Sequence, residues 1–359
     1  MSWHNKVVWT EGMFLQPQHF QQHDRFLANQ MQAKVASMSP YHWGFADLQI
    51  DEAALAMGKL ALVSARGVLP DGTAFSMPIE DAVPAALDIG ADVRNEVVVL
   101  AVALPRPGVV ETDAEEAGGS TPPRLHAAGV EVADSNATAD RTAEVLIGRL
   151  NARLMLARDA GEGHACLGAV RVIERRADNR LVLDNQYVPP MLHARASLVL
   201  DGYVRELVGL LHQRGEALGA RLAPPGRAGL GESADFLLLE TVNRNEPVFA
   251  HLQNVSVLHP ERLYTACLGL AGDLATFRDK RRPPLFQPYN HDELALTFRP
   301  VIEDLRQPLS IDGRDYAVSV SMGVSVYPRD GSAAPELLRS ADIALYQAKE
   351  RGRDNYQFF

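Results

Sequence analysis

From Val7 to about Pro190 the chain consists mainly of short apolar runs separated by turn residues, which predict short strands. Residues 96–102 (EVVVLAV) form an almost continuous apolar run, which is typical of a strand buried on both faces. The Asp71-Gly72 pair between two apolar segments predicts a tight hairpin, because glycine accepts positive φ. Further strands are predicted at 143–156, 167–172 and 181–183. The spacing predicts an antiparallel β-sandwich over residues 1–188.

Beyond Pro189-Pro190 the apolar period becomes helical. The first predicted helix has one apolar face, made of Leu200, Val204, Leu207, Leu211, Leu218 and Leu222. A second helix is predicted from Phe236, a third opens at His259-Pro260, and a last helical stretch runs from His291 to Leu305. Residues 189–307 are therefore predicted to form a helical bundle.

The last segment, residues 308–359, changes period again. Bulky and small side chains alternate from Tyr316 to Tyr327, which predicts a strand. A turn follows at 328–331, and then a helix with an apolar stripe of Leu337, Leu338, Ala341, Ala344, Leu345 and Ala348. The fold class predicted for the whole chain is α+β multidomain: a β-sandwich, a helical bundle and a small strand-helix-strand fragment.

Composition narrows the classes of partner. The formal net charge of −10 argues against nonspecific binding to nucleic acid or to an anionic membrane, both of which need clustered Lys and Arg. No stretch resembles a signal peptide or reaches the roughly 18 apolar residues of a membrane span. Cys166 and Cys267 lie far apart among apolar neighbours, which favours buried free thiols in a reducing compartment. We therefore expect a cytoplasmic protein that is not inserted in a membrane.

Few residue pairs suggest chemistry. His19 and His23 would share a helix face, as zinc ligands do, but no third ligand is evident and two interface histidines fit better. His164 beside Cys166 suggests a nucleophile and base, although Gly161 to Gly163 indicate a turn before a strand. No phosphate-binding loop, dinucleotide fingerprint or nucleophile elbow is present. We expect no catalytic residue, no metal and no cofactor.

The N-terminal segment VVWTEGMFLQPQHFQQHD (7–24) resembles the opening of the TssK family of type VI secretion baseplate subunits, also called ImpJ or VasE. The resemblance continues in order through HWGFADLQID (42–51), LDNQYVPPML (183–192), FLLLETVNRNEP (236–247) and YNHDEL (289–294). It covers residues 3–307. It implies a non-enzymatic structural protein with a β-sandwich shoulder, a helical neck that forms a homotrimer, and a head.

The family resemblance also implies partners. The shoulder would bind the wedge proteins TssF and TssG, at the cytoplasmic inner face of the cell envelope. The head of the family would contact TssL and TssM, but a different fragment stands in its place here, which argues against docking onto that membrane complex. Large apolar and uncharged polar side chains make the N-terminal motif a candidate interface, composed of Trp9, Glu11, Gly12, Met13, Phe14, Gln16, Pro17, Gln18, His19 and Phe20.

Residues 316–359 resemble the C-terminal half of a GGDEF (diguanylate cyclase) domain. The resemblance implies a vestigial phosphate contact at Lys349 and Arg353, although a basic pair also suits a helix C-terminus. The signature loop and the metal-binding carboxylates of the catalytic half are absent from the sequence, so cyclase activity is not expected. The alternative function is a degenerate cyclic-di-GMP signalling or nucleotide-sensing protein coupled to secretion. A recombined gene product with an inert tail is a third reading.

Overall fold

The computed structural model describes residues 3–112, 123–136, 141–222, 230–311, 314–316, 322–326, 330–331, 333–350 and 356–359. The chain divides into two units. The first comprises residues 1–197 with 290–295, and the second comprises 198–289 with 296–359.

The first unit is mainly β-structure. Its helices are α1 (Pro17–Met38) and α2 (Glu52–Ala56). Its strands are β1 (Gly44–Ile50), β2 (Lys59–Leu60), β3 (Leu62–Val68), β4 (Ala74–Met77), β5 (Leu87–Asp88), β6 (Arg94–Ala103), β7 (Leu125–Ala133), β8 (Thr142–Leu150), β9 (Arg153–Leu156), β10 (His164–Arg175) and β11 (Leu181–Leu183).

Two larger sheets organise this unit. One has the order β1-β3-β4 and the other β11-β10-β6-β9, with β2-β5 and β7-β8 as separate pairs. These strands pair antiparallel, as the sequence predicts. The predicted hairpin is confirmed, since β3 pairs with β4 and Gly72 has φ +85°. Residues 98–102 of β6 are all buried, which explains their unbroken apolar run.

The β-rich region also contains a long helix. Residues 17–38 form it, because Pro17 at its first position pre-sets φ and the segment is rich in helix-forming Gln, Ala and Met. One prediction about strands is wrong. The predicted strand 143–156 is two strands, β8 and β9, which belong to different sheets. The chain crosses between them at Asn151, whose side-chain amide donates to the Pro123 carbonyl at 2.8 Å.

The second unit contains the long helices. They are α3 (Leu198–Leu222), α4 (Leu230–Asn254), α5 (Pro260–Ala275) and α6 (Leu294–Arg306). The first two residues of α6, and the 3-10 turn at His291–Glu293 that precedes it, belong to the first unit. The predicted apolar face of α3 is buried at Leu200, Val204, Leu207, Leu211 and Leu218. Helix α4 begins earlier than the predicted Phe236, and α5 begins as predicted, with His259 as N-cap and Pro260 at the first position.

The last segment contains β12 (Leu309–Ile311), β13 (Arg314–Tyr316), β14 (Met322–Val324), α7 (Ala334–Glu350) and β15 (Tyr356–Phe358). Strands β12 and β13 pair antiparallel, and β14 and β15 pair parallel. The middle of the predicted strand 316–327 lies outside the described residues. On α7, Ala344 is buried but Leu338 is exposed, because Leu338 lies on the opposite side of the helix from Ser340, which is buried. Leu338 was therefore wrongly assigned to the apolar stripe.

Candidate functional site

The N-terminal motif opens with a tight turn from Thr10 to Met13. The Met13 amide donates to the Thr10 carbonyl at 3.3 Å, and Gly12 adopts φ +77°. A side chain is disfavoured at that φ, so the turn accounts for the glycine of the motif. Glu11 lies exposed in the same turn.

Helix α1 starts soon after this turn, with Gln16 before its first residue, Pro17. Gln16 is the N-cap residue, and its backbone N–H donates to Nδ1 of His19 at 3.0 Å. The His19 amide in turn donates to the Gln16 carbonyl at 3.0 Å. These reciprocal bonds satisfy backbone groups that a helix start leaves open, so Gln16, Pro17 and His19 have a local structural role.

The extended residues before the turn are attached to α1. The Gln22 side-chain amide donates to the carbonyls of Asn5, at 2.7 Å, and Trp3, at 3.2 Å. The guanidinium carbon of Arg25 lies 4.3 Å from the centre of a Trp3 ring, a cation–π distance. The first residues of the described chain therefore lie along the helix.

Trp9 lies at the centre of a cluster of aromatic side chains at the start of α1. Its ring centre lies 6.3 Å from that of His19, 6.4 Å from that of Phe20 and 5.9 Å from that of His23. The two histidines thus share one face, as predicted, but His19 Nδ1 already accepts a backbone hydrogen bond. Across the described residues, no group of three or more His, Cys, Asp or Glu side chains is arranged to hold a metal ion.

Helix α1 exposes an apolar stripe. None of its residues is buried, and its exposed large apolar side chains are Phe20, Leu27, Met31, Val35 and Met38. At about 100° per residue these five positions fall within about 80° of the helix circumference. Such a narrow seam is typical of a surface that packs against another element. We call these five residues the α1 stripe.

Phe14 and Leu15 extend the apolar surface beyond the helix start. The Phe14 side chain is 90% exposed, and Leu15 is also exposed. Gln18 is exposed in the first turn of α1, and Met13 is half-buried. Of the ten candidate interface residues, Trp9, Phe14 and Phe20 therefore present large aromatic groups to solvent, whereas Gly12, Gln16 and Pro17 shape the backbone.

The far end of α1 is fixed to the β-structure. The Gln32 side-chain nitrogen lies 3.0 Å from Nε2 of His42, and Nδ1 of His42 lies 3.2 Å from the Ser39 carbonyl. A Cβ on Gly72 would lie 1.7 Å from Oε1 of Gln32, so the β3–β4 turn lies against the helix. These contacts fix the orientation of helix α1, and so of its apolar stripe, relative to the strands of the first unit.

Three other family motifs meet in the first unit. The Phe45 amide donates to the Pro190 carbonyl, and the Leu192 amide donates to the Phe45 carbonyl, both at 2.8 Å. Gly44 has φ +133°, and a Cβ there would lie 2.9 Å from the Pro190 carbonyl carbon. His291 is buried with Nε2 2.7 Å from the Trp43 carbonyl oxygen. Segments 42–51, 183–192 and 290–294 therefore have a structural role.

Tyr187 belongs to the same cluster. Burial raises its pKa to about 12, an effect that Arg171 opposes and that Asp292 and Glu293 reinforce. The Arg171 guanidinium lies 5.3 Å from the centre of the ring. The phenol is therefore neutral at physiological pH and acts as a packed aromatic side chain.

His164 and Cys166 do not form the nucleophile–base pair that their sequence positions suggested. Sγ of Cys166 lies 3.8 Å from the backbone carbonyl of His164, and burial raises the thiol pKa. Cys166 is half-exposed rather than buried, because it lies on β10 beside fully buried neighbours on the other face. Cys267 is buried, and burial raises its pKa to about 12. Neither thiol has the depressed pKa of a nucleophile.

The two predicted phosphate contacts lie in the C-terminal segment. Lys349 is in the last turn of α7, and Arg353 lies outside the described residues. None of the helices in the described part of the chain is long and apolar enough to cross a lipid bilayer.

Comparison with known proteins points to one family. The model of the T6SS_VasE family, described as bacterial type VI secretion, EvfL, ImpJ and VasE, matches residues 19–344. The match starts after most of the N-terminal motif and runs past the predicted junction near residue 308. The type VI secretion system baseplate component TssK1 of Pseudomonas aeruginosa is 46% identical over 325 residues, which are 89% of this chain and 72% of that protein.

Solved structures of TssK proteins have the same fold as this chain. A crystal structure of TssK superposes with a TM-score of 0.82 at 39% identity, covering 89% of this chain and 72% of that one. A chain of the type VI TssK-TssF-TssG baseplate subcomplex gives 0.74 at 25% identity, covering 84% and 97%. A short match, 41% identical over 70 residues, links 20% of this chain to 9% of the cyclic di-GMP phosphodiesterase NbdA of P. aeruginosa.

Proposed function

Because the chain belongs to the T6SS VasE family, we propose that it is a TssK-type baseplate subunit of a type VI secretion system. It acts as a non-enzymatic scaffold that binds TssF and TssG, the proteins named with TssK in the solved subcomplex. The observation that carries the proposal is the 46% identity to TssK1 over 89% of the chain. The same likeness favours the scaffold over a cyclic-di-GMP signalling protein.

Within this function we assign roles to three regions. Residues 1–188 are the shoulder, 189–307 are a neck that forms a homotrimer, and 308–359 are a fragment of GGDEF type. The buried apolar faces of α3 and α5 support a bundle in the second region. The short match to NbdA supports the third assignment. The assembled subunit would lie in the cytoplasm at the inner face of the cell envelope.

We assign the contact with the TssF–TssG wedge to the N-terminal motif together with the α1 stripe. The stripe is apolar, solvent-exposed and fixed at its far end by Gln32 and His42. A fixed apolar surface loses little conformational entropy when a partner covers it, which suits a permanent assembly. Phe14 and Phe20 would provide its largest aromatic contacts.

The test is capture of purified TssF and TssG by the full chain, with the mass of the chain measured by light scattering. We expect a trimer that retains the wedge. Met31→Ser, on the stripe, should weaken capture by about ten- to a hundredfold, since a buried methionine contributes about 1.5–3 kcal/mol. Met57→Ser is the matched control, because Met57 is 63% exposed and Met31 is 68% exposed.

Three outcomes would contradict parts of the proposal. A monomer that does not retain the wedge would overturn the scaffold function itself. A Met31→Ser chain that loses its trimer but, at high concentration, still binds the wedge would move the α1 stripe to a contact between copies. Equal effects of Met31→Ser and Met57→Ser would remove the stripe from either interface.

A further inference from the structure

One buried arginine and a largely shielded ion pair between an arginine and an aspartate lie close together in the second unit. Arg214 of α3 is only 3% exposed, and Arg278 follows the end of α5. Arg278 donates from Nη1 to Oδ1 of Asp304 and from Nη2 to the Asp304 carbonyl. Arg214 donates from Nη2 to the Gln307 carbonyl at 3.4 Å. One carboxylate cannot neutralise two guanidinium groups, so the cluster keeps a surplus positive charge.

Several polar atoms of this cluster lack partners. Nε of Arg214, Nε of Arg278 and Oδ2 of Asp304 are buried and make no hydrogen bond within the described structure. Desolvation, together with the nearby Arg278, lowers the pKa of Arg214 to about 10. A buried cation in this state is stabilised by any anion that approaches it.

A cavity of about 740 Å³ opens beside the cluster. Arg278, Asp304 and Gln307 line it, so the Arg278–Asp304 ion pair forms part of its wall. Its other charged lining residues are Asp279, Lys280 and Arg282. Arg214 lies next to this lining, through its hydrogen bond to the Gln307 carbonyl. The cavity and its surroundings therefore hold four cationic side chains (of residues 214, 278, 280 and 282) and two carboxylates (of residues 279 and 304).

The mouth of the cavity has charges available for a ligand. Lys280 and Arg282 are exposed, and neither forms an ion pair with any residue that the structure describes. Prolines 283 and 284 follow directly and restrict the backbone of the rim. Arginine presents planar donor pairs that match the oxygens of phosphate and carboxylate groups.

We propose that this cavity, between the end of α5 and the end of α6, binds a small oxyanion ligand with at least two negative charges, of the phosphate or polycarboxylate type. Lys280 and Arg282 would contact the ligand directly. Arg278 in the wall and Arg214 next to it would supply further positive charge without moving. Asp304 would keep Arg278 in place.

Calorimetry on the full chain at low salt tests this site, with inorganic pyrophosphate and citrate as the probes. We expect saturable binding of one anion per chain for at least one probe. Arg282→Gln should weaken that binding about tenfold, the effect of one lost hydrogen bond to a charged group. The double variant Lys280→Gln/Arg282→Gln should reduce it below detection.

Arg281→Gln is the matched control. It removes the same charge from the same loop, but Arg281 does not line the cavity. Binding to the Arg281→Gln chain should equal that of the unchanged chain. Equal weakening by Arg281→Gln and Arg282→Gln would show only general electrostatic attraction, and absence of saturable heat with both probes would leave the arginines a purely structural role. Capture of a Glu-rich peptide without either small anion would also overturn the proposal.

Discussion

At the scale of a single residue, Arg124 connects the end of β6 with the turn between β3 and β4. Its Nη1 donates to the Ala103 carbonyl, and its Nη2 donates to Oδ2 of Asp71 at 2.9 Å and to Oγ1 of Thr73 at 2.5 Å. The side chains of Arg124 and Asp71 are 11% and 15% exposed, so the ion pair is largely shielded from water. Removing one partner of such a pair leaves a poorly solvated charge.

Arg124→Met should therefore lower the free energy of unfolding of the first unit by about 3–5 kcal/mol. The measurement is urea unfolding followed by tryptophan fluorescence. All three tryptophans, Trp3, Trp9 and Trp43, lie in this unit, so the signal reports its unfolding alone.

A double-mutant cycle with Asp71→Asn separates the ion pair from packing. Asparagine keeps an oxygen that can accept from the Thr73 amide, as Oδ1 of Asp71 does at 3.1 Å. The double variant should be less destabilised than the sum of the single variants, by about 0.5–3 kcal/mol. Strict additivity would mean that Arg124 acts through its other contacts and not through Asp71.

Sequence reasoning could predict the turn chemistry here but not the ion pair. Asp71 and Gly72 are recognisable as a hairpin turn because their preference is local. Arg124 stands 53 residues from Asp71, at the edge of a polar stretch, where a solvated arginine is the ordinary expectation. Its partners are known only once the hairpin, β6 and β7 are packed together.

At the scale of elements, the pairing of β1 with β3 depends on Gly67. A Cβ at this position would lie 2.3 Å from the carbonyl oxygen of Gly44 and 3.0 Å from the Cα of Phe45. Both are backbone atoms of the neighbouring strand, so neither can move aside without separating the strands. Gly67 therefore allows a close approach that any side chain would prevent.

Gly67→Ala should destabilise the first unit by about 1–3 kcal/mol, since the added methyl group forces the backbone to shift. The fluorescence midpoint in urea measures the effect. Gly161→Ala is the control, because nothing lies within 4 Å of a Cβ at that position. A Gly67→Ala chain as stable as the Gly161→Ala chain would show that β1 and β3 separate without cost.

Element prediction succeeded where the pattern was local and periodic. The β6 run, the β3–β4 hairpin and the starts of α3 and α5 follow from turn residues and apolar spacing. Helix α1 was not assigned from the sequence, although Phe20, Leu27, Met31, Val35 and Met38 recur with helical spacing among polar residues. That spacing is a helix signal whether or not the face is buried, and the general expectation of short strands in this region passed over it.

At the scale of the whole molecule, composition excluded partners but named none. A net charge of −10 argues against nucleic acid, yet it is compatible with many scaffolds and enzymes. The order of motifs from residue 7 to residue 294 identified the family, and the match over residues 19–344 agrees with it. The structure gives these motifs different roles. Segments 42–51, 183–192 and 290–294 contact one another and stabilise the first unit, whereas the N-terminal motif carries exposed apolar side chains.

The C-terminal segment permits a last prediction for the whole chain. Its described parts include α7 and the two three-residue strands β14 and β15, and the sequence has no signature loop of a diguanylate cyclase. Phosphate transfer needs metal-binding carboxylates and several positioned cations, which one helix and two short strands do not supply. Lys349→Ala should therefore leave calorimetric titrations with GTP and with cyclic di-GMP unchanged.

The matched variant for these titrations is Arg282→Gln, because the triphosphate of GTP could also enter the cavity between the ends of α5 and α6. Heat that survives Lys349→Ala but is lost in Arg282→Gln belongs to that cavity and leaves the scaffold function intact. Heat that is lost in Lys349→Ala alone would instead assign nucleotide sensing to the C-terminal segment. The two substitutions each remove one cation from the second unit, so a difference between them reflects position rather than net charge.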